Sequence, residues 1–167
     1  MNIRLCSIND RNNWIRLNRA FMAYEMSDEG FWNNADAISD EQFGTIFKVA
    51  LKNPELITMM MIEEEKEAVG FANLMTIFSV WAHGKALILD DLFICDEHRG
   101  KGLGRQALAY IENYAKENGY KRLQFQSEFS NPVAYEFYTK LGYKSADMHF
   151  FVKNFNEADK NEEGEIS

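Results

Sequence analysis

The sequence predicts one α+β domain built on a mixed sheet of about six strands. Its 167 residues suit a single domain with one core, and 46% of them are hydrophobic, as in globular proteins. The hydrophobic period is first helical, then two-residue, and after residue 94 strands and helices alternate. The chain has no internal repeat and no Pro- or Ser-rich linker. We therefore assign residues 1–153 to the domain and residues 154–167 to an acidic tail that we expect to be flexible.

The N-terminal part of the chain predicts one strand and two helices. The predicted elements are a strand at 1–6, a helix at 9–24, a loop at 27–37 and a helix ending at Lys52. Trp14, Leu17 and Phe21 fall at helical spacing and predict the buried face of the first helix. Ser39 and Gln42 have the spacing of a capping box, which predicts the start of the second.

The middle of the chain predicts three successive strands joined by short polar turns. We place these strands at 56–62, 69–80 and 86–94. Short apolar runs bounded by charged or Gly-containing turns are typical of strands, and three in succession favour an antiparallel meander.

The C-terminal part predicts two helices, each followed by a strand. The predicted elements are a helix at 102–118, a strand at 122–126, a helix at 131–141 and a last strand at 143–152. Gly119 and Gly142 follow the two helices, where glycine commonly ends a helix. Pro132 falls in the first turn, where its missing N–H costs least.

Composition disfavours several classes of protein. The net charge of −8 makes a nucleic-acid binder improbable, and no apolar run approaches the roughly 20 residues of a membrane span. The chain lacks a signal-peptide pattern, so we expect a cytoplasmic protein. Cys6 and Cys95 have no CxxC spacing, so we expect free thiols and no metal site.

Three glycines at alternate positions, 100, 102 and 104, open the helix that follows a predicted strand. Glycine lets backbone approach a ligand closely, and the first N–H groups of a helix form an anion site. Arg99, Lys101 and Arg105 add positive charge to an otherwise acidic chain. The pattern lacks the G-K-S/T ending of a P-loop and the last glycine of a dinucleotide-binding fingerprint. A phosphate-binding loop and a simple connecting turn both remain open at this point.

Three motifs in order resemble the GNAT family of N-acetyltransferases. The run Arg99–Gly104 matches the family's R/Q-x-x-G-x-G/A motif, and residues 89–94 resemble its fourth strand. The set Asn131, Ala134, Phe137-Tyr138 and Leu141-Gly142-Tyr143 resembles its N-x-x-A-x-x-F-Y-x-x-x-G-F pattern. The resemblance implies transfer of an acetyl group from acetyl-CoA to an amine. It also implies a sheet of six to seven strands, about four helices and a splayed fourth strand.

Within the family, the chain looks most like the diamine and polyamine acetyltransferases. The residues that carry this narrower resemblance are Ala23-Tyr24-Glu25, Gly84-Lys85-Ala86 and the acidic pair Asp90-Asp91. It implies a homodimer and a small cationic substrate. The branch usually has Glu at the position of Asp90.

The resemblance implies an acetyl-CoA site along one strand, one loop and one helix. The residues it assigns to the cofactor are Phe93, Ile94, Cys95, Arg99, Gly100, Lys101, Gly102, Leu103, Gly104, Arg105, Asn131, Ala134 and Tyr138. A bulged or splayed fourth strand would free the N–H of Ile94 for the thioester carbonyl. Nothing near Cys95 in sequence activates it as a nucleophile.

Catalysis of amine attack requires a proton donor and a proton acceptor. Tyr138 occupies the position of the family's general acid, although a core aromatic is the alternative. Asp90 is the candidate base, or only a charge that attracts the cation. By strand alternation, we expect Asp90 and Asp91 to point to opposite faces. Glu25 and Asp28 are candidate substrate-binding acids, with a solvated surface as the alternative.

The sequence leaves the acceptor open. Besides a diamine or polyamine, an aminoglycoside or a protein or peptide amine fits the same chemistry. A non-catalytic module that senses acetyl-CoA is the alternative from another class, which Tyr138 and the acidic strand disfavour.

Overall fold

The computed structural model describes residues 1–25, 38–129 and 131–153, with the side chain of Glu25 excepted. The chain forms two compact units, residues 1–126 and the residues that follow Gln126. The first unit holds the sheet and three helices, and the second holds the fourth helix.

The elements confirm the predicted α+β class. In chain order they are β1 (Asn2–Leu5), α1 (Arg11–Glu25), α2 (Asp40–Lys52), β2 (Ile57–Glu64), β3 (Glu67–Ser79), β4 (Gly84–Ile94), α3 (Leu103–Glu117), β5 (Arg122–Gln124) and α4 (Pro132–Lys140). The sheet order is β1-β2-β3-β4-β5. The first four strands pair antiparallel, and β5 returns parallel to β4 after α3. The sheet is therefore mixed, because a helix carries the chain from β4 back to the start of β5.

The number of strands corrects the prediction. The described residues contain five strands, not six or seven, and the segment 143–152 forms none. A strand is held by the ladder of a neighbour, and local preference alone does not form one. Met148 is 72% exposed and Phe151 is 88% exposed, so the aromatic segment lacks the burial that its β-propensity suggested.

The start of α1 also differs from the prediction, whereas that of α2 agrees. Residues Ile8–Asp10 form a 3₁₀ turn, so α1 begins at Arg11 instead of residue 9. The Asp10 carboxylate accepts hydrogen bonds from the N–H and the hydroxyl of Ser7, at 2.7 and 2.9 Å. This local bonding closes the turn before the helix begins.

The core between the sheet and the first two helices is aromatic. Trp14 of α1 lies 5.3 Å from Phe47 and 6.0 Å from Phe43, both on α2. Phe71 of β3 and Phe93 of β4 complete the cluster from the sheet. Edge-to-face and tilted contacts at these distances stabilise a core beyond its buried area. This packing places the end of β4 directly beneath α1.

Helix α3 covers the opposite face of the sheet. Met59 packs in the aromatic core, and the neighbouring Thr58 hydrogen-bonds Tyr114 of α3 at 3.3 Å between hydroxyls. Successive strand residues point to opposite faces, so the two helical layers lie on opposite sides. Among the described residues, no helix is long and apolar enough to cross a bilayer.

Candidate active site

The loop before α3 is an open helix N-terminus. Gly100 and Gly102 have φ of 75° and 79°, in the left-handed region that glycine tolerates. Gly102 is the N-cap and offers no side chain to the exposed amides. The amide of Gln106 donates to the Gly102 carbonyl at 3.2 Å, which begins the helical ladder. A Cβ at either glycine would meet no other described atom within 4 Å, so the loop faces open space. Amides at a helix start and the helix dipole together favour an anion, so the chemistry of this loop fits a diphosphate.

The guanidinium of Arg99 is engaged within the first unit. Its Nε donates to the Ile94 carbonyl at 2.8 Å, and its Nη1 lies 2.9 Å from Asp96 Oδ1. Its Cζ stacks over the ring of Tyr24 at 4.5 Å. Arg99 thus joins the loop, the end of β4 and the end of α1, and these contacts orient its backbone at the anion site.

Glu64, at the end of β2, contacts the loop from the other side. Its Oε2 lies 2.6 Å from His98 Nδ1 and 3.6 Å from Lys101 Nζ. The hydrogen bond with His98 is the main reason that the pKa of Glu64 is lowered, and Lys101 adds to the effect. No local pattern in the sequence indicates a role for Glu64, because only the fold brings it to His98, which lies 34 residues further along the chain.

A β-bulge in β4 exposes Asp90. The register pairs Leu74 with Leu89 and Asn73 with Asp91, so Asp90 is the extra residue. The bulge interrupts the regular alternation from which we expected Asp90 and Asp91 to point to opposite faces, so that expectation stays a prediction. Asp90 remains open to solvent, and partial desolvation raises the pKa of its carboxyl.

Asp91 is held by a short hydrogen-bond chain from the core. Asn73 Nδ2 donates to Asp91 Oδ2 at 2.8 Å, and Trp14 Nε1 donates to Asn73 Oδ1 at 3.2 Å. Trp14 is buried, so this chain orients Asp91 from a rigid base. Sequence reasoning missed Asn73, for which a lone amide within an apolar strand was the available signal.

The outer edge of β4 is open beyond Ile88. Strand β5 pairs only with Ala86, Leu87 and Ile88, whereas β4 continues to Ile94. The amide of Cys95 donates to the Val69 carbonyl at 2.9 Å. Bonded and non-bonded pairs alternate in an antiparallel ladder, so the amide of Ile94 points away from β3. Of residues 93–95, it is therefore the Ile94 amide that lies along the edge that β5 leaves free, while the Ile94 carbonyl accepts from Arg99 Nε.

Three further candidates lie on or beside α4, in the second unit. The Asn131 Oδ1 accepts from the Ala134 amide at 3.0 Å, so Asn131 caps the helix as its spacing predicted. The ring of Tyr138 packs against Phe137 and Tyr143, at 5.2 and 6.2 Å. Burial raises the pKa of the Tyr138 hydroxyl, which keeps it protonated at neutral pH.

The two cysteines have the properties of packed thiols. Burial raises the pKa of Cys6 to about 12 and also raises that of Cys95. A thiol attacks as its thiolate, so both are poor nucleophiles at neutral pH. Among the described residues, no group of three or more His, Cys, Asp or Glu has the geometry of a metal site.

Two of the predicted substrate-binding residues are not described as side chains. The backbone of Glu25 ends α1, directly after Tyr24, and its side chain is outside the described part. Asp28 lies in the segment 26–37, outside the described residues, as does the acidic tail from residue 154.

The chain belongs to the Acetyltransferase (GNAT) family, whose sequence profile matches residues 16–143. Members of this family are N-acetyltransferases that use acetyl-CoA as the acyl donor, and this chain is a GNAT N-acetyltransferase. The profile covers the open loop, the bulged strand and α4.

Individual relatives are N-acetyltransferases with different substrates in their names. An uncharacterized N-acetyltransferase of Bacillus subtilis (strain 168), YhfO, is 36% identical over 64% of this chain and 71% of its own. Thialysine N-epsilon-acetyltransferase of Bos taurus is 24% identical over 84% of this chain and 82% of its own. The solved aminoglycoside N-acetyltransferase AAC(6')-Iy, in complex with CoA, superimposes with a TM-score of 0.71 at 14% identity. That superposition covers 92% of this chain and 93% of the other, and it shows the shared fold.

Proposed function

We propose that this N-acetyltransferase acetylates a primary amine of a small cationic substrate, similar to a diamine or polyamine. The observation that carries the proposal is the bulge at Asp90, which exposes a carboxyl on the strand leading to the open edge. Asp91 adds a second oriented carboxyl beside it. An alkylammonium group is attracted by such a pair and is repelled by a basic site. The likeness to a thialysine acetyltransferase supports a small aminoalkyl acceptor.

The donor half of the proposed site consists of backbone groups. The amides of residues 99–105, with Lys101 and Arg105, bind the diphosphate. Residues 93–95 pair with the pantetheine arm as an added strand would. The amide of Ile94 donates to the thioester carbonyl oxygen, where negative charge develops during attack. Bound acetyl-CoA supplies the activated acyl group, and the chain orients it. The family resemblance also assigns Phe93, Gly104, Asn131 and Ala134 to the cofactor.

The proposed reaction is direct attack in a ternary complex. The amine nitrogen forms a bond to the carbonyl carbon as the C–S bond breaks, and the CoA sulfur leaves as a thiolate. Tyr138 gives its hydroxyl proton to that thiolate. The nitrogen loses one proton when the C–S bond breaks, and solvent returns that proton to the Tyr138 oxygen. Before attack, the substrate ammonium must also lose a proton, because an ammonium has no lone pair. Asp90 takes this proton through a water, or it attracts the cation while bulk water takes the proton. Glu25 and Asp28 are further acidic residues that we assign to binding of the cationic substrate.

The acceptor is tested by measuring release of CoA thiol from acetyl-CoA over a panel of amines. The panel contains diamines, polyamines, thialysine, amino acids, aminoglycosides and peptides. The highest kcat/KM is expected for a small diamine-like amine. A preference for aminoglycosides or peptide amines would replace the proposed substrate class. Binding of acetyl-CoA with no thiol release on any amine would contradict turnover and favour a sensor.

The general acid is tested with Tyr138→Phe. Loss of the hydroxyl is expected to lower kcat by roughly 10-fold or more, with little change in acetyl-CoA affinity. The Asp90→Asn variant separates the two roles of Asp90. A proton acceptor predicts loss of the acidic limb of the pH–rate profile, whereas a pure charge effect predicts a raised KM for the amine. Homodimerisation stays a prediction.

A further inference from the structure

The turn between β2 and β3 reaches the loop that precedes α3. It is a tight turn in which Glu65 and Lys66 have φ of 51° and 72°. Two successive left-handed residues give a hairpin turn whose twist matches its strands. Glu64 pairs with Glu67 across this turn, so the position of Glu64 is set by the ladder. The carboxylate of Glu64 thus projects from a rigid element, not from a mobile loop.

Glu64 holds the loop at two points. One carboxylate oxygen lies 2.6 Å from His98 Nδ1 and 3.6 Å from Lys101 Nζ. His98 ends the 3₁₀ turn before the loop, and Lys101 stands between the two left-handed glycines. The Glu64 side chain is 27% exposed, so solvent competes only partly for these contacts. Contacts on both sides of Gly100 restrict the segment that glycine leaves most free.

We propose that Glu64 is a positioning residue for acetyl-CoA binding, which holds the loop amides in the arrangement that receives the diphosphate. This inference rests on the proposed assignment of residues 99–105 to the diphosphate. Several N–H groups must converge on one anion, and ordering them before binding removes that entropy cost from the binding step. Glu64 does not itself contact the cofactor; it acts through His98 and Lys101.

The negative charge of Glu64 opposes binding of the diphosphate. The direction in which Kd changes when Glu64 is removed is therefore informative. The partly exposed Glu64 carboxylate repels a diphosphate, but solvent and salt screen that repulsion. The short hydrogen bond to His98 is local and is screened much less. Positioning is therefore expected to outweigh repulsion, and removal of Glu64 is expected to weaken binding.

The test measures the Kd of acetyl-CoA by calorimetry for the full chain. Glu64→Ala is expected to raise Kd by roughly 5-fold, the size of one lost polar contact. Glu64→Gln keeps an acceptor for His98 and is expected to recover part of that loss. Glu67→Gln removes the same charge from the same turn and is the matched control, with no expected change. His98→Ala should add little in the Glu64→Ala background, because the two side chains act as one contact.

Kinetics and one further variant make the outcome decisive. With the amine that is turned over fastest in the thiol-release panel, KM for acetyl-CoA is expected to rise several-fold while kcat changes much less. An unchanged or lower Kd in Glu64→Ala overturns the inference, provided that Gly102→Val still weakens binding. If Gly102→Val also leaves Kd unchanged, the assignment of the loop to the diphosphate is wrong. If Glu64→Ala does not fold, the Kd of Glu64→Gln is compared with that of Glu67→Gln. A higher Kd for Glu64→Gln supports the inference, and equal values overturn it.

Discussion

Helices α2 and α3 begin in opposite ways, although both belong to the same unit. At α2, Ser39 Oγ accepts from the Gln42 amide at 3.2 Å, and Gln42 Oε1 accepts from the Ser39 amide at 2.8 Å. At α3, Gly102 contributes no side chain, and the space that a Cβ at this position would enter is open. Side chains therefore cap the start of α2, whereas Gly102 makes no side-chain hydrogen bond at the start of α3.

The difference shows how the same backbone feature serves stability or binding. The unpaired amides at a helix start need a hydrogen-bond acceptor. The sequence decides whether a side chain of the protein or an external group supplies that acceptor. Ser and Gln at α2 supply it from within the chain. Glycines at α3 supply none, and they widen the access to the amides. The open helix start is thus the one expected to respond to ligand.

The largest expected effect comes from closing the open start with Gly102→Val. A branched side chain at φ of 79° is strained, and it projects toward the space over the loop. Acetyl-CoA affinity is expected to fall roughly 100-fold, or about 2.7 kcal/mol, as measured by calorimetry. Gly119→Val is the matched control, because Gly119 has φ of 75° at the other end of α3. Equal losses of affinity in both variants would assign the effect to backbone strain and break the comparison.

The ion pair between Arg4 and Asp10, directly before α1, predicts a folding stability that depends on pH. Arg4 donates to both carboxylate oxygens of Asp10 at 2.7 and 2.8 Å, and Ser7 donates to the same group. Hydrogen bonding with Arg4 is the main reason that the pKa of Asp10 falls from 3.8 to about 2. A lowered folded-state pKa stabilises above the unfolded value, so this contribution is present above pH 4. It is lost as the pH falls toward 2.

The magnitude follows from linkage. A shift of this size corresponds to about 2 kcal/mol. Urea unfolding of the wild type and of Asp10→Asn should differ by about that amount at pH 7. The difference should shrink toward zero near pH 2. A difference that is the same at both pH values would show that the carboxylate charge is not the source of the stability.

The smallest change in free energy is expected from Ser39→Ala, which removes the side-chain cap of α2. Loss of an N-cap hydroxyl typically costs about 1 kcal/mol of folding free energy. Urea unfolding should show this loss, while acetyl-CoA affinity stays unchanged because α2 takes no part in the proposed site. Ser39→Thr keeps the hydroxyl and should recover most of the stability. A change in affinity with Ser39→Ala would mean that the two helix starts are not independent.

Local signals predicted these elements well. Ser39 with Gln42, Asn131 before Pro132, and the glycines of the loop each specify bonding within a few residues. Such patterns act over one helical turn, so a single sequence is enough to recognise them. The α+β class followed in the same way from the change of hydrophobic period.

Apart from the 3₁₀ turn before α1, the features that were missed depend on pairing between distant residues. The segment 143–152 has strand-like composition but forms no strand. The bulge at Asp90 exists because Asn73 and Leu74 pair with residues 91 and 89, a register that no local pattern records. Aromatic and β-branched residues favour strands only where a neighbour and a buried face accept them.

By itself, the sequence determined the open helix start, the capped ones and the run of elements that leads to an acetyl-CoA transferase. Only the tertiary structure decided that β4 bulges at Asp90, that Asn73 orients Asp91, and that Glu64 reaches His98 and Lys101. The physical reason is range. Caps and glycine turns are local hydrogen-bonding choices, whereas strand register and cross-sheet contacts depend on the packing of the whole sheet.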